Sequence, residues 1–182
     1  AVMGSFYIEK VYDIHRPRVG LVNIGAEKHK GTPLTRQSYQ LLKESNLNFI
    51  GNLEARDIPA GAADVIVTDG FTGNVILKLT EGLGIIFSKY VKELFIKNTL
   101  TKCAALLVKK GLLPFKKKLD YKEYGGAPLL GIDGVVIKAH GSSDSKAILS
   151  AIRQAEKFVK SDVLSSIRKY LTNQERRNAK NE

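Results

Sequence analysis

Tryptophan is absent from these 182 residues, and cysteine and methionine occur once each. The missing tryptophan excludes nothing. The lone Cys103 excludes an internal disulfide, and no Cys/His pattern spaces out a zinc site. Cysteine usage of this kind fits a reducing cytoplasm. No stretch approaches the roughly 20 apolar residues needed to span a bilayer. The opening "AVMGSFYIEKVYD" contains acids and no long apolar core, so no signal peptide is expected there. The phosphate-loop spacing G-x-x-x-x-G-K-[ST] is also missing.

Acids are scarce relative to bases. Eighteen Asp and Glu stand against 29 Lys and Arg, a net charge of +11. An excess of this size implies an anionic partner. Its distribution says more than its total. Between Lys92 and Lys118 eight lysines face a single acid, Glu93. They alternate with Leu, Ala and Val rather than with aromatics able to stack on bases, so a nucleic-acid partner is not expected. With 43% hydrophobic and 26% charged residues, the chain suits one globular domain with a real core, spanning 1–182.

The chain reads as alternating apolar runs and amphipathic stretches. "AVMGSFYIEKVYDIH" (1–15) has helical spacing with no capping residue before it, as if a helix opened in mid-turn and further chain lay upstream. "RVGLVNIG" (18–25) is a continuous apolar run ending in glycine, the pattern of a buried parallel strand. Thr32 caps a helix that starts with Pro33, whose missing N–H costs nothing there, and runs to about Glu44. "LNFIGNL" (47–53) and "ADVIVTDG" (63–70) are further strands, joined by the turn-rich "ARDIPAGA" (55–62). A helix from about Val75 to Asn98 follows, with Gly82 and Gly84 marking a kink or a close helix contact. The basic-aliphatic segment Thr99–Leu119 is expected to be broken at Gly111 and Pro114. "YGGAPLLGIDGVVIKA" (124–139) predicts two strands around a tight Asp133-Gly134 turn. "DSKAILSAIRQAEKFV" (144–159) is a helix, and the polar tail "TNQERRNAKNE" (172–182) is expected to fray. This order predicts an α/β fold with a largely parallel sheet.

In such sheets ligands bind at the carboxyl ends of the strands. Three polar, glycine-rich loops sit at those ends, and convergence on one crevice is the natural expectation. In "HGSSD" (140–144), Ser142 or Ser143 can cap the following helix, which is the plain structural role. The same turn, with His140 and Gly141, aims backbone N–H groups out of a helix N-terminus, where phosphate is welcome. Asp144 in the first turn matches the helix dipole. In "TDGFTGN" (68–74), Thr72, Gly73 and Asn74 open a helix. Asn74 is either an N-cap or an amide donor to a developing oxyanion. Asp69 holds the turn through its backbone. In "NIGAEKHKG" (23–31), Lys30 beside Gly31 is the better placed cation, Lys28 and His29 being ordinary solvated loop residues. No metal cluster and no Ser-His-Asp order stands out. A decarboxylating dehydrogenase, which needs spaced metal-binding acids, is therefore disfavoured. Cys103 lies far from the loops in sequence, so covalent cysteine chemistry is not expected.

"RVGLVNIGAEKHKG", "LNFIGNLEARDIP", "ADVIVTDGFTGNVILK" and "YGGAPLLGIDGVVIKAHGSSDSKAILSAIRQA" closely resemble the bacterial PlsX-type phosphate acyltransferases. The resemblance runs over nearly the whole chain, and family members are about twice as long, so it corresponds to their C-terminal part. It implies a three-layer α/β/α fold of the isocitrate-dehydrogenase and phosphotransacetylase kind, and a homodimer. It implies transfer of an acyl group from acyl-[acyl carrier protein] to inorganic phosphate, giving acyl phosphate for phospholipid synthesis, with no metal or organic cofactor. Phosphate then sits at Ser142 and Ser143 with Lys30 adding charge, and the thioester carbonyl faces Asn74.

Residues 92–119 are expected to protrude as a basic-aliphatic helical hairpin. Leu106, Leu107, Leu112 and Phe115, flanked by Lys109 and Lys110, suit a surface that rests on anionic lipid. The plain alternative is packing within a dimer. The expected location is cytoplasmic, peripherally associated with the membrane.

Overall fold

The computed structural model describes residues 1–119, 123 and 125–179, with backbone alone for 109, 112, 113, 115–119, 175, 177 and 178. The elements in order are α1 (Val2–Tyr12), β1 (Arg18–Val22), α2 (Pro33–Glu44), β2 (Asn48–Leu53), a 3-10 turn (Ala55–Ala60) and β3 (Val65–Val67). There follow α3 (Gly70–Ile96), α4 (Thr99–Leu119), β4 (Gly126–Pro128), β5 (Ile137–Ala139), α5 (Ser145–Lys160) and α6 (Val163–Asn178). They form two compact units. The first comprises Ala1–Asp69, Pro128–Ile137 and Ala155–Glu182, and the second Gly70–Ala127 and Lys138–Gln154.

The first unit is built on a parallel sheet of order β2-β1-β3. The apolar run at 18–25 predicts a buried strand, and β1 is that strand. It lies at the centre, and Val19, Gly20, Leu21 and Val22 are all buried. Gly20 lets Leu53 pack closely: a Cβ there would fall 2.2 Å from Leu53 Cδ1 and 2.7 Å from its Cγ, so that side chain would have to shift. The β1–β2 register slips by one residue between Val19↔Phe49 and Gly20↔Gly51, and Gly51 takes a φ of 102°. Two apolar clusters result. Val19, Leu21, Tyr39 and Leu42 pack α2 on the sheet, while Tyr7, Val11, Phe158, Val163 and Ile167 join α1 to α5 and α6. Phe158 is 1% exposed, and its ring meets Tyr7 edge-on at 5.4 Å. At the amino end of β1 the Arg18 guanidinium donates to both carboxylate oxygens of Asp64, at 3.0 and 2.9 Å, while Arg18 N–H donates to Asp64 Oδ2 at 2.8 Å. Those bonds hold the Asp64 carboxyl below its usual range.

In the second unit α3 runs through 27 residues without one buried side chain. Asn98 and Thr101 then start α4 reciprocally: Thr101 N–H donates to Asn98 Oδ1 at 2.9 Å, and Asn98 N–H to Thr101 Oγ1 at 3.0 Å. The two helices touch. α5 buries Ala147 and Ala151 and receives Gly125 against its backbone.

Several expectations are corrected. Thr32 and Pro33 open α2 as predicted, with Thr35 N–H donating to Thr32 Oγ1 at 3.2 Å. α3, by contrast, begins five residues before Val75 and absorbs "FTGN". The close helix contact expected at Gly82 and Gly84 is not seen among the described residues: a Cβ at either would meet nothing within 4 Å, and α3 is assigned without a break across both. α4 continues through Gly111 and Pro114. Asp133 and Gly134 do not form a two-residue hairpin turn. β4 and β5 are separated by Leu129–Val136, and Asp133 instead accepts from the Arg168 guanidinium on α6. The tail is helical to Asn178 rather than frayed.

Candidate functional site

β1, β2 and β3 run parallel, so their carboxyl ends share one edge of the sheet. The chain leaves that edge at Val22, Leu53 and Val67. The loop after β1 is held by two asparagines that sequence reasoning did not single out. Asn23 Nδ2 donates to the Lys30 carbonyl at 3.0 Å, and its Oδ1 accepts from Ile24 N–H at 2.9 Å. Asn52, paired with Leu21 across the β1–β2 register, donates from Nδ2 to the Glu27 carbonyl at 2.9 Å. Gly31 closes the loop at a φ of 92°, and a Cβ there would fall 2.2 Å from Asn23 Oδ1. The available signal was a polar residue at the end of each apolar run, in "GLVN" and "FIGN".

Lys30 is half-buried within this loop. Its ammonium stands 3.8 Å from Glu27 Oε1, and both side chains are more than 40% exposed. A pair that open to water is worth at most about 1 kcal/mol, so it yields readily to an anion of higher charge. Lys28 and His29 are exposed.

At the exit of β3, Thr68 Oγ1 donates to the Asp69 carbonyl at 3.1 Å. Because α3 starts at Gly70, Thr72, Gly73 and Asn74 lie inside its first turns. Asn74 is therefore not the cap. Its side chain is exposed on the helix surface.

The 140–144 loop also differs from expectation. Asp144 caps α5, its Oδ1 accepting from Ala147 N–H at 3.0 Å, and neither Ser142 nor Ser143 does so. Aspartate wins because its carboxylate both accepts the bond and matches the helix dipole. Ser142 N–H donates to His140 Nδ1 at 3.2 Å, and Ser142 Oγ lies 2.7 Å from the same nitrogen. A backbone N–H can only donate, so Nδ1 is the acceptor and a neutral His140 carries its proton on Nε2. Ser143 N–H donates to the His140 carbonyl at 3.0 Å, while Ser143 Oγ is buried with no hydrogen-bond partner among the described residues. His140, Gly141 and Ser142 are exposed. Lys30 thus belongs to the first unit, and Asn74 and His140–Ser143 to the second.

A cavity of about 380 Å³ opens among Phe6, Glu9, Arg16, Asn48, Tyr170 and Gln174. It lies at the amino ends of β1 and β2, the edge where open parallel sheets do not bind their ligands. Among the described residues no group of His, Cys, Asp or Glu could hold a metal ion, and no helix is long and apolar enough to cross a membrane. Cys103 is exposed.

The profile of the family described as "Fatty acid synthesis protein" matches residues 1–166. The chain is 63% identical over 166 residues to a phosphate acyltransferase of Alkaliphilus oremlandii, covering 91% of this chain and 50% of that protein. Phosphate acyltransferases of Thermoanaerobacter pseudethanolicus and Lysinibacillus sphaericus are 55% and 56% identical over 168 residues, each covering 92% of this chain and 51% of theirs. The chain spans about half the length of the curated relatives it matches.

Proposed function

The chain belongs to the fatty acid synthesis protein family, and on that premise we propose that it forms the C-terminal part of a phosphate acyltransferase. The reaction moves a fatty acyl group from acyl-[acyl carrier protein] to inorganic phosphate, and the acyl phosphate feeds phospholipid synthesis. The observation that carries this reading is the high identity to phosphate acyltransferases along almost the whole chain.

In the first unit Lys30 offers positive charge to phosphate, and in the second Ser142, Ser143, His140 and Gly141 offer an anion-binding loop. A phosphate oxygen attacks the thioester carbonyl carbon. The developing oxyanion is met by the Asn74 amide, with Thr72, Gly73 and Asp69 shaping the helix start around it. The C–S bond then breaks, and the carrier's thiolate takes the proton given up by hydrogen phosphate. Thiolates leave readily, so orientation and electrostatics supply most of the acceleration. In this reading residues 1–182 are a single α/β portion of a three-layer α/β/α fold, and the whole protein is a homodimer.

The same reading gives residues 92–119 a membrane role, as a helical hairpin on a cytoplasmic enzyme held peripherally. Leu106 and Leu107 are 72% and 86% exposed on α4, and Lys102 and Lys110 flank them. Lys109, Leu112 and Phe115 belong to the same proposed surface, but their side chains lie outside the described residues. Each lysine near anionic lipid contributes roughly 1 kcal/mol, enough in combination for reversible attachment.

The test is acyl phosphate formation by the full-length enzyme carrying Lys30→Ala or Asn74→Ala. Loss of an oxyanion donor lowers turnover by about 10²–10³, with little change in thermal stability. Near-normal turnover in both folded variants overturns the assignment.

A further inference from the structure

The two asparagines at the carboxyl edge of the sheet do opposite things for stability. Asn23 is satisfied at both ends of its amide. Asn52 is not. It is 7% exposed, its Nδ2 has the Glu27 carbonyl, and its Oδ1 is buried without a hydrogen-bond partner among the described residues. A buried acceptor left unpaired destabilises the fold, and an apolar residue of similar volume in a strand avoids that cost. As a packing residue, then, asparagine is a poor choice at this position. Its one bond leaves the sheet and enters the loop that carries Lys30. The receiving carbonyl, that of Glu27, also accepts from Lys30 N–H at 3.2 Å. Asn52 therefore grips the turn at its first residue, while Asn23 grips the Lys30 carbonyl at its last.

We propose that Asn52 is a positioning residue for phosphate, acting through Lys30: it trades fold stability for a Glu27–Lys30 turn held in one geometry. The inference rests on the reading that Lys30 engages phosphate. Its physical basis is that a misplacement of about 1 Å from a change outside the reacting groups can cost about 10²-fold in rate. A turn anchored only by its own Lys30-to-Glu27 backbone bond has no fixed relation to the sheet beneath it. Asn52 supplies that relation from β2, while Asn23 supplies it from the end of β1.

The experiment compares Asn52→Leu with the parent in the full-length enzyme, varying inorganic phosphate and acyl-[acyl carrier protein] separately. Asn52→Ala serves as a second variant should leucine prevent folding. The expected result is an unchanged or raised melting temperature for Asn52→Leu, with kcat/KM for phosphate lowered by about tenfold to 10²-fold. The KM for the acyl carrier substrate stays within about twofold. In a Lys30→Ala background the same change adds little, because residues acting as one unit are not additive. If Lys30→Ala impairs phosphate use and the Asn52 variants do not, the positioning role is overturned and the Lys30 assignment stands. If Lys30→Ala itself leaves phosphate kinetics unchanged, both fall.

Discussion

Gly125 rests directly on the backbone of α5: a Cβ on it would lie 2.2 Å from the amide nitrogen of Ala151 and 2.7 Å from the carbonyl oxygen of Ala147. Its φ is 77°, a region that favours glycine. Gly61 has a similar φ of 71° but open space around it. The two positions therefore separate backbone strain from steric overlap. Gly61→Ala is expected to destabilise by about 1 kcal/mol, and Gly125→Ala by clearly more, since helix backbone cannot step aside. Thermal melts of the pair check this. Equal losses would mean that the α5 contact is not tight.

Phe158 anchors the cluster that joins α1, α5 and α6. Phe158→Ala is expected to cost about 3–5 kcal/mol, combining lost burial with the cavity left behind. Urea unfolding gives the value directly. A loss below about 1 kcal/mol would show that this cluster does not hold the unit together.

The Arg18–Asp64 pair predicts an acid-sensitive step. The guanidinium and the Arg18 backbone N–H both donate to the carboxylate, which lowers the Asp64 pKa in the folded state. A depressed carboxyl contributes stability above its unfolded pKa, and loses it as pH falls through the folded value. Asp64→Asn should therefore lower stability near neutrality and flatten its decline between about pH 4 and the lower folded pKa. Denaturant midpoints measured across this range decide the matter. A parallel decline in parent and variant would remove Asp64 as a cause.

The membrane role proposed for α4 predicts that the full-length enzyme binds anionic liposomes and releases as salt rises. Replacing Leu106 and Leu107 with Asp should abolish binding while acyl phosphate formation in solution persists. Unchanged binding by that variant would exclude these leucines from the contact.

The periodicity of the sequence was a good guide wherever an element makes its own case. Thr32-Pro33 specifies a helix start through one side-chain acceptor and one dispensable N–H, and α2 begins there. The run "RVGLV" has only apolar residues after Arg18, and only a strand covered on both faces can bury them all. Elsewhere the pattern misled. "FTGN" reads as a loop because glycine and asparagine favour turns, yet α3 incorporates it. Residues 172–178 are polar enough to fray, yet α6 extends over them behind Val163 and Ile167, which are buried with Phe158.

The sequence by itself determined the α/β class, the parallel run of β1, β2 and β3, and the family, because long apolar runs and contiguous motifs are local properties of the chain. It also pointed to Lys30, through its place beside a glycine and a helix start. Only the tertiary structure decided what holds Lys30. The contacts of Asn52 with Glu27 and of Arg18 with Asp64 join residues 25 and 46 positions apart. No local preference encodes such a pairing. Each exists because β1 lies in one particular register with its neighbours: that with β3 sets Arg18 against Asp64, and that with β2 brings a buried amide under a loop it does not neighbour in sequence.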